Sequence, residues 1–234
     1  MIEKLNWDSE FFGYPVGKIV LEKGATFAAE AFKSKLSDFK LVYIFSPQEL
    51  ELKESSQIFL ADKKVVFLKQ LDKAKQYEIK AEINEYDGPL SDDLLELVLE
   101  SGIYSRFRVD KHFKNKEFER LYTEWILKSL DGGIAEKVYV SRVDREMAGF
   151  ITVGLKNGRT DIGLISVNEK FRGMSIASSL ISVACNYSIA KSIYKIQVVT
   201  QGDNIPAMKL YQHNGFEIEE ITYIYHYWND NFLS

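Results

Sequence analysis

The sequence predicts a fold of the mixed α/β (α+β) class, with a small α/β domain at residues 1–85 followed by a larger domain at residues 86–234. Three observations support this prediction. Strand-like and helix-like patterns alternate from residue 17 to residue 71. Between residues 73 and 89 the sequence becomes polar and loses its pattern. Beyond that break come two helical patterns, three strand patterns, and then a strand, a turn, a helix and a strand.

The first domain is predicted from short runs rich in β-branched and aromatic residues. The runs KIVL, KLVYIFS and KKVVFLKQL are typical of strands. Residues 28–39, AAEAFKSKLSDF, have the pattern of a helix. The turn signal Asp87-Gly88-Pro89 places the domain boundary near residue 85.

The second domain is predicted to begin with two helices. Ser91 suits an N-cap, because its side chain can accept a hydrogen bond from the first turn, and Gly102 ends that helix. A loop containing Ser105-Arg106-Phe107-Arg108 follows. Asn115 begins the next helix, which has a broad apolar face and ends at Asp131-Gly132-Gly133.

A change of period at Lys137 predicts a sheet. Three consecutive antiparallel strands are expected, joined by turns at Asp144-Arg145 and Asn157-Gly158. The helix that opens at FRGMSIAS and the strand KIQVVTQ complete a βαβ crossover. Asn204 then opens a short helix, and FEIEEITYIYHYW predicts two further strand-like runs.

The composition limits the classes of partner. With 30 basic and 34 acidic residues and a pI of 5.6, the chain offers no general attraction to nucleic acid or anionic lipid, so any anionic ligand must be bound locally. The start lacks a secretory pattern, and no stretch reaches the roughly 18 apolar residues of a membrane helix. We therefore expect a cytoplasmic protein with no nucleic-acid or membrane partner.

Residue types with metal-binding or redox chemistry are few. Cys185 stands alone, which excludes an internal disulfide, and its place on a helical pattern favours a buried apolar role. His112, His213 and His226 lack the spacing of a metal site. We expect no bound metal.

The segment FRGMSIAS is a candidate phosphate site. A strand ends and a helix begins there, so unpaired N–H groups and the positive end of the helix dipole converge. Gly173, Ser175 and Ala177 are small enough for close approach of a ligand, and Arg172 adds a positive charge. Taken alone, the segment is equally consistent with a plain strand-to-helix connection.

Downstream residues make the pattern more specific. Asn204, Ala207, Tyr211 and Gly215-Phe216 follow the next strand in one helical register. Together with the preceding strand ISVNEK, they resemble the GNAT acetyltransferase superfamily. RGMSIA is similar to the family's acyl-CoA motif, R/Q-x-x-G-x-G/A, and NIPAMKLYQHNGF is similar to the segment after its fifth strand. Ser175 replaces the usual middle glycine, which is tolerable if its φ is negative.

The resemblance implies a GNAT fold and acetyl-CoA as co-substrate. That fold has a mixed, mostly antiparallel sheet in which the strand before the turn splays away from KIQVVTQ, leaving a slot for the pantetheine arm. The turn would bind the pyrophosphate of CoA, and the strand end would pair with the pantetheine amides. The implied contact residues are Ile165, Ser166, Val167, Arg172, Gly173, Met174, Ser175, Ile176, Ala177, Thr200, Asn204 and Tyr211.

Tyr211 is the candidate general acid. Acetyl transfer requires a proton for the departing thiolate, and a phenol with a pKa of about 10 holds one at neutral pH. The resemblance places Tyr211 near the sulfur. The alternative is that Tyr211 only packs the short helix onto the sheet. No general base is evident, and Glu169 is interpreted as a solvated residue at a strand end in preference to a base.

The acceptor is expected at the loop between the first two helices of the second domain. Arg106 and Arg108 flank Phe107, an arrangement that can hold an anion and stack on a ring; the alternative is two surface arginines and a core phenylalanine. LNWDSEFFGYPVGKI and SRFRVDKHF resemble the dTDP-fucosamine acetyltransferase group. That resemblance implies an amino-sugar nucleotide acceptor, with Arg106 or Arg108 on its diphosphate and Phe107 or Tyr104 against a ring.

Other interpretations remain open. Trp7, Phe11 and Phe12 are interpreted as a hydrophobic clamp on the core. The acceptor could instead be another small amine or a peptide N-terminus, or the chain could be a non-catalytic acyl-CoA-binding domain. The aromatic tail TYIYHYW could form a homodimer by extending a sheet edge, or could simply cover the core.

Overall fold

The computed structural model describes residues 2–25, 36–52, 57–230 and 232. The chain forms two compact units, the first made of Met1–Val65 with Glu220–Ser234 and the second of Val66–Glu219. Most of the helix predicted at residues 28–39 lies outside the described residues.

The first unit is built on strands. Its elements are β1 (Glu3–Lys4), α1 (Asn6–Phe12), β2 (Val16–Val20), β3 (Leu41–Ser46), the start of β4 (Ile58–Gln70) and most of β10 (Glu217–Trp228). The strand order is β1-β2-β3-β10-β4, with β2 parallel to β3 and β10 antiparallel to β3. Ile19, Val42, Ile44 and Tyr225 form the centre of its core.

The last strand explains why the units divide differently from the predicted domains. Its final residues pair with β3 from Tyr223↔Ser46 to Trp228↔Leu41, which draws the C-terminus into the first unit. The polar segment at residues 73–89 belongs to the second unit. A boundary near residue 85 between independently folding domains stays a prediction.

Two expectations about aromatic residues are corrected in this unit. The two strand-like runs at the C-terminus form one strand, β10, inside the sheet order, so the tail packs into the core and is not an edge strand. Of the predicted clamp, Phe12 is buried, but Trp7 is 44% exposed and stacks on Phe11 with ring centroids 5.0 Å apart. The prediction that Trp7 packs on the core is wrong.

The second unit carries most of the helices and a mixed sheet. Its further elements are β5 (Ile83–Glu85), α2 (Asp92–Ser101), α3 (Arg106–Val109), α4 (Glu117–Leu130), β6 (Lys137–Val143), β7 (Glu146–Lys156), β8 (Arg159–Val167), a 3-10 turn (Glu169–Phe171), α5 (Ile176–Ala190), β9 (Lys195–Gln201) and α6 (Ile205–His213). The strand order is β4-β9-β8-β7-β6-β5. The pairs β5/β6, β6/β7 and β7/β8 are antiparallel and β8/β9 is parallel, which confirms the mixed, mostly antiparallel sheet.

Local signals in the sequence position several elements of this unit. The Ser91 side chain accepts a hydrogen bond from the Leu94 N–H and caps α2 as predicted. Both predicted hairpin turns have the positive φ angles that tight two-residue turns need. The loop after α2 contains a short helix, α3, that the sequence did not indicate, and α4 begins at Glu117 two residues later than predicted.

No helix in the described part of the chain is long and apolar enough to cross a bilayer.

Candidate active site

Strands β8 and β9 separate halfway along β8. The last paired residues are Ile162 and Val198, although β8 continues to Val167. On its other side β8 remains paired with β7 as far as Val167. The strand end therefore has one edge without a strand partner, which confirms the predicted splay.

A β-bulge bends β8 where the strands separate. Gly163 and Leu164 lie opposite the single residue Thr152 of β7, because the register shifts between Ile151 and Val153. The Leu164 N–H donates to Thr152 Oγ1 at 2.8 Å, and Thr152 is only 2% exposed. A Cβ on Gly163 would lie 2.8 Å from the same oxygen. Because a bulge increases local twist and bends its strand, the Thr152 hydroxyl holds β8 in the shape that opens the slot.

The turn before α5 is open to solvent. Residues 172–175 are exposed, and a Cβ on Gly173 would meet nothing within 4 Å. The first hydrogen bond of the helix joins Ser179 N to Ser175 O, so the N–H groups of residues 176–178 have no partner within the helix. Unpaired N–H groups in an open turn are suited to an anion.

Ser175 does not meet the condition of a negative φ. Its φ is +59°, the left-handed conformation, and its side chain makes no capping hydrogen bond. The chain enters α5 through a left-handed N-cap. That conformation costs about 1–2 kcal/mol for a residue with a Cβ, which explains why glycine is usual at this position of the motif.

Arg172 connects the turn to the end of β8. Its Nε donates to the Val167 carbonyl at 3.3 Å, and its guanidinium pairs with the carboxylate of Glu100 at the end of α2. Burial raises the pKa of the Glu100 carboxyl, while the charge of Arg172 opposes that rise. Sequence reasoning missed Glu100, and no local signal marks it, because its partner lies 72 residues away.

Tyr211 is buried on α6. Its side chain is 3% exposed, and its ring lies 5.5 Å from that of Phe67 and 5.9 Å from that of Phe216. The hydroxyl makes no hydrogen bond to any residue in the described ranges, and burial raises its pKa above the usual value for tyrosine. The ring therefore has the packing role, while the hydroxyl stays protonated at neutral pH and can donate to a ligand.

Helix α6 is held to the start of α5. The Asn214 amide at its C-terminal end donates to Ser178 Oγ at 3.2 Å, next to Ala177. At its N-terminal end the Asn204 side chain accepts from the Ala207 N–H at 3.1 Å, so its oxygen caps the helix and its amide nitrogen has no partner in the described part of the chain. Thr200 is buried on β9.

The candidate acceptor residues do not converge on one point. Phe107 is 8% exposed and packs against Phe113 and Trp125, whereas Arg108 is exposed and pairs with Glu119 at 3.6 Å. Arg106 is half-buried with its guanidinium carbon 4.7 Å from the centre of the Phe107 ring. Tyr104 is half-buried. Arg108 and Phe107 help to line a cavity of about 180 Å³, and Arg106 and Tyr104 are absent from its lining.

Other reactive groups are not organised into a site. Within the described ranges there is no group of three or more His, Cys, Asp or Glu residues able to hold a metal ion. Burial raises the pKa of the Cys185 thiol to about 11, which disfavours the nucleophilic thiolate. Glu169 is exposed in the 3-10 turn.

Comparisons with known proteins agree with this geometry. Residues 101–216 match the acetyltransferase (GNAT) family. The chain is 26% identical over 135 residues to the spore coat polysaccharide biosynthesis protein SpsD of Bacillus subtilis, covering 58% of this chain and 46% of SpsD. It is 32% identical over 81 residues to a streptothricin acetyltransferase of Escherichia coli, covering 34% of this chain and 47% of that protein. The chain thus spans about half the length of these curated relatives.

A solved structure supports the fold. The GCN5-related N-acetyltransferase from Sphaerobacter thermophilus superposes with a TM-score of 0.51 at 15% identity, covering 85% of this chain and 64% of that chain. The splayed strands, the open turn and the matched segment lie in the same compact unit. Residues 101–216, which include the splayed strands and the open turn, match the acetyltransferase (GNAT) family and have its fold.

Proposed function

We propose that this protein is an N-acetyltransferase that moves the acetyl group of acetyl-CoA onto the primary amine of a small molecule, and that this amine belongs to a nucleotide-linked deoxysugar. The observation that carries the proposal is the unpaired edge of β8, which ends beside the open N-terminal turn of α5. The match of residues 101–216 to the GNAT family supports acetyl-CoA as the acetyl donor. The resemblance to the dTDP-fucosamine group supports a nucleotide-linked deoxysugar as the acceptor.

The α5 turn fits the pyrophosphate of CoA. Three N–H groups without helical partners, together with the helix dipole, favour a dianion there. Gly173 leaves open space, and Ala177 presents only a methyl group in the first helical turn. Arg172 adds a guanidinium, which Glu100 partly neutralises.

The free edge of β8 fits the pantetheine arm. An extended chain with amide groups binds an unpaired strand edge through main-chain hydrogen bonds. Residues Ile165, Ser166 and Val167 lie on this edge and are half-buried. The amide nitrogen of Asn204 and the Thr200 side chain are further candidates to contact the arm.

The residues of the site then have separate tasks. Acetyl-CoA supplies an acetyl group on a sulfur leaving group. The N–H groups on the free edge of β8 donate to the acetyl oxygen and stabilise the negative charge that develops on it. Tyr211 gives its hydroxyl proton to the departing sulfur and regains one through water from the attacking amine. Because burial raises the pKa of Tyr211, the hydroxyl is protonated at neutral pH, which is the form that this step requires.

The sugar acceptor is supported by two findings. The relative SpsD is named for spore coat polysaccharide biosynthesis. The loop at residues 104–116 contains five basic residues and one acidic residue in a chain whose net charge is −4. Concentrated positive charge of this kind is suited to a phosphorylated acceptor. The proposal places the enzyme in the cytoplasm and includes a homodimer that does not form through β10, because that strand lies inside the sheet order.

A second acceptor class has support from the other relative. By its name, that relative acetylates streptothricin. The basic loop of this chain favours an anionic sugar nucleotide over any cationic amine.

The first test is a calorimetric titration with acetyl-CoA. The wild type should bind it, and Ala177→Glu should abolish binding, because a carboxylate in the first turn repels the pyrophosphate. Glutamate stabilises a helix N-terminus, so the variant should remain folded. Ala190→Glu, at the exposed end of the same helix, is the matched control and should bind normally. Failure of the wild type to bind would refute the proposal.

The acceptor is tested by measuring CoA release with three amines. A dTDP-linked 4-amino-4,6-dideoxysugar should be acetylated with the highest kcat/KM, ahead of streptothricin and a peptide with a free N-terminus. Faster turnover of streptothricin would replace the sugar acceptor with the antibiotic class.

A further inference from the structure

The cavity beside the acceptor loop has aromatic walls and a charged rim. Its volume is about 180 Å³. The lining residues are Phe107, Arg108, Phe113, Lys114, Lys116, Glu117, Phe118 and Glu119. Phe107 and Phe118 are buried and Phe113 is half-buried, so charges at the rim face a weakly polar wall. Electrostatic interactions are stronger beside such a wall than in open water.

The charges of the rim do not cancel. Glu117 is buried and accepts a hydrogen bond from the Asn115 N–H at 2.6 Å. Glu119 is the partner of Arg108. Both carboxylates are therefore engaged by groups of the protein.

Two ammonium groups are left for a ligand. Lys114 and Lys116 are exposed at the rim, and their side-chain ammonium groups make no hydrogen bond or ion pair with any residue in the described ranges. The five charged side chains of the lining sum to +1, and the ammonium groups of Lys114 and Lys116 have no carboxylate partner among the described residues, so they are available to a phosphorylated ligand.

The size of the cavity limits what can enter it. Pockets that enclose a whole small-molecule ligand usually have roughly 300–1,000 Å³. At about 180 Å³ this cavity can take a diphosphate, but it is too small for a complete sugar nucleotide. The base and the sugar must then lie outside it.

We propose that this cavity binds the diphosphate of the acceptor through Lys114 and Lys116, with Arg108 beside them. The inference rests on the proposed function for the identity of the acceptor, but the cavity itself can be tested without catalysis. It assigns phosphate binding to two lysines that the sequence pattern did not single out. It also assigns a contact with the diphosphate to Arg108, which lines the cavity, and none to Arg106, which does not.

The test is calorimetric binding of dTDP, with thymidine as the probe that lacks phosphate. The wild type should bind dTDP, and thymidine should bind at least 10-fold more weakly. Lys114→Gln and Lys116→Gln should each weaken dTDP binding by 5-fold or more. Lys111→Gln is the matched control, because Lys111 is exposed on the same loop but does not line the cavity, and it should change the affinity less than 2-fold.

A second set of titrations separates the cavity from the acetyl-CoA site. Both lysine variants should bind acetyl-CoA normally, and saturating acetyl-CoA should leave dTDP binding in place. If acetyl-CoA displaces dTDP, or if Lys111→Gln is as damaging as the cavity variants, the inference is overturned. A wild type that binds acetyl-CoA but not dTDP also overturns it while leaving the transferase proposal intact. Lysine-dependent dTDP binding without acetyl-CoA binding would support the cavity and refute the transferase.

Discussion

The turn before α5 and the loop between α2 and α4 are both proposed to meet phosphate groups, but they offer different chemistry. The turn presents main-chain N–H groups of residues 176–178, whose positions follow from where the helix begins. The loop presents the side chains of Arg108, Lys114 and Lys116, whose positions depend on packing. A main-chain site can therefore tolerate substitutions that preserve the backbone, whereas a side-chain site loses affinity with each charge removed.

The largest expected effect concerns Tyr211, which lies on α6, the helix held to the start of α5. Tyr211→Phe keeps the ring between Phe67 and Phe216 but removes the proton donor, so kcat should fall about 100-fold or more. The dissociation constant of acetyl-CoA should stay within about 2-fold of wild type, because uniform binding is unaffected. Steady-state kinetics and calorimetry measure both quantities. An unchanged kcat would leave Tyr211 only its packing role.

The role of this hydroxyl also predicts how kcat depends on pH. Because burial raises the pKa of Tyr211 above its usual value of about 10, the protonated donor persists to higher pH than in an exposed tyrosine. The kcat of the wild type should therefore show no decline from tyrosine ionisation below pH of about 9. A decline that Tyr211→Phe abolishes would contradict the raised pKa.

A smaller effect is expected at the bulge. Thr152→Val leaves the Leu164 N–H without its acceptor, which costs about 1–3 kcal/mol and favours a relaxed strand that closes the slot. Acetyl-CoA binding should weaken about 10-fold, which calorimetry would detect. Thr152→Ser retains the hydroxyl and should restore most of the affinity. Equal losses in both variants would contradict the role of the hydroxyl, because the serine variant retains it.

At the acceptor loop, substitution of only one of the two arginines should change the acceptor KM. Arg108→Ala should raise the acceptor KM by about 5-fold through loss of a charge at the cavity, with little change in kcat. Arg106→Ala should lower the melting temperature through loss of its contact with Phe107 and leave KM near wild type. If neither variant changes the acceptor KM in a folded protein, the acceptor does not bind at this loop.

The smallest expected effect is a gain in affinity for acetyl-CoA. Glu100→Gln keeps an oxygen for Arg172 but removes a negative charge next to the turn, so acetyl-CoA should bind about 3-fold more tightly. The gain should shrink in high salt, because screening weakens the repulsion that the wild type carries. Weaker binding in the variant would mean that the carboxylate is needed to position Arg172.

Much of the second unit could be predicted because its signals are local. Ser91 and Asn204 cap the helices that follow them, and both two-residue turns have the expected positive φ. Hydrogen bonds of this kind join residues two to four positions apart, so a short stretch of sequence contains both partners. The family motif added the splay, which strand-pairing rules alone would not have predicted because it depends on a bulge opposite Thr152.

The acceptor loop could be predicted only in part. The sequence indicated a basic and aromatic segment, but not that Phe107 packs inward while Arg108 turns to a cavity. It also gave no sign of the short helix α3, since the four residues of Arg106–Val109 are too few for a periodic pattern.

The sequence by itself determined the order of the longer elements of the second unit, the helix caps at Ser91 and Asn204, the hairpin turns and the open turn before α5, because each depends on dihedral preferences and hydrogen bonds within a few residues. Tertiary structure alone decided the positive φ of Ser175, the pairing of Arg172 with Glu100, and the bulge held by Thr152. These features join residues that are distant in the chain or impose strain that local preference opposes. Their partners are defined only once the unit has folded.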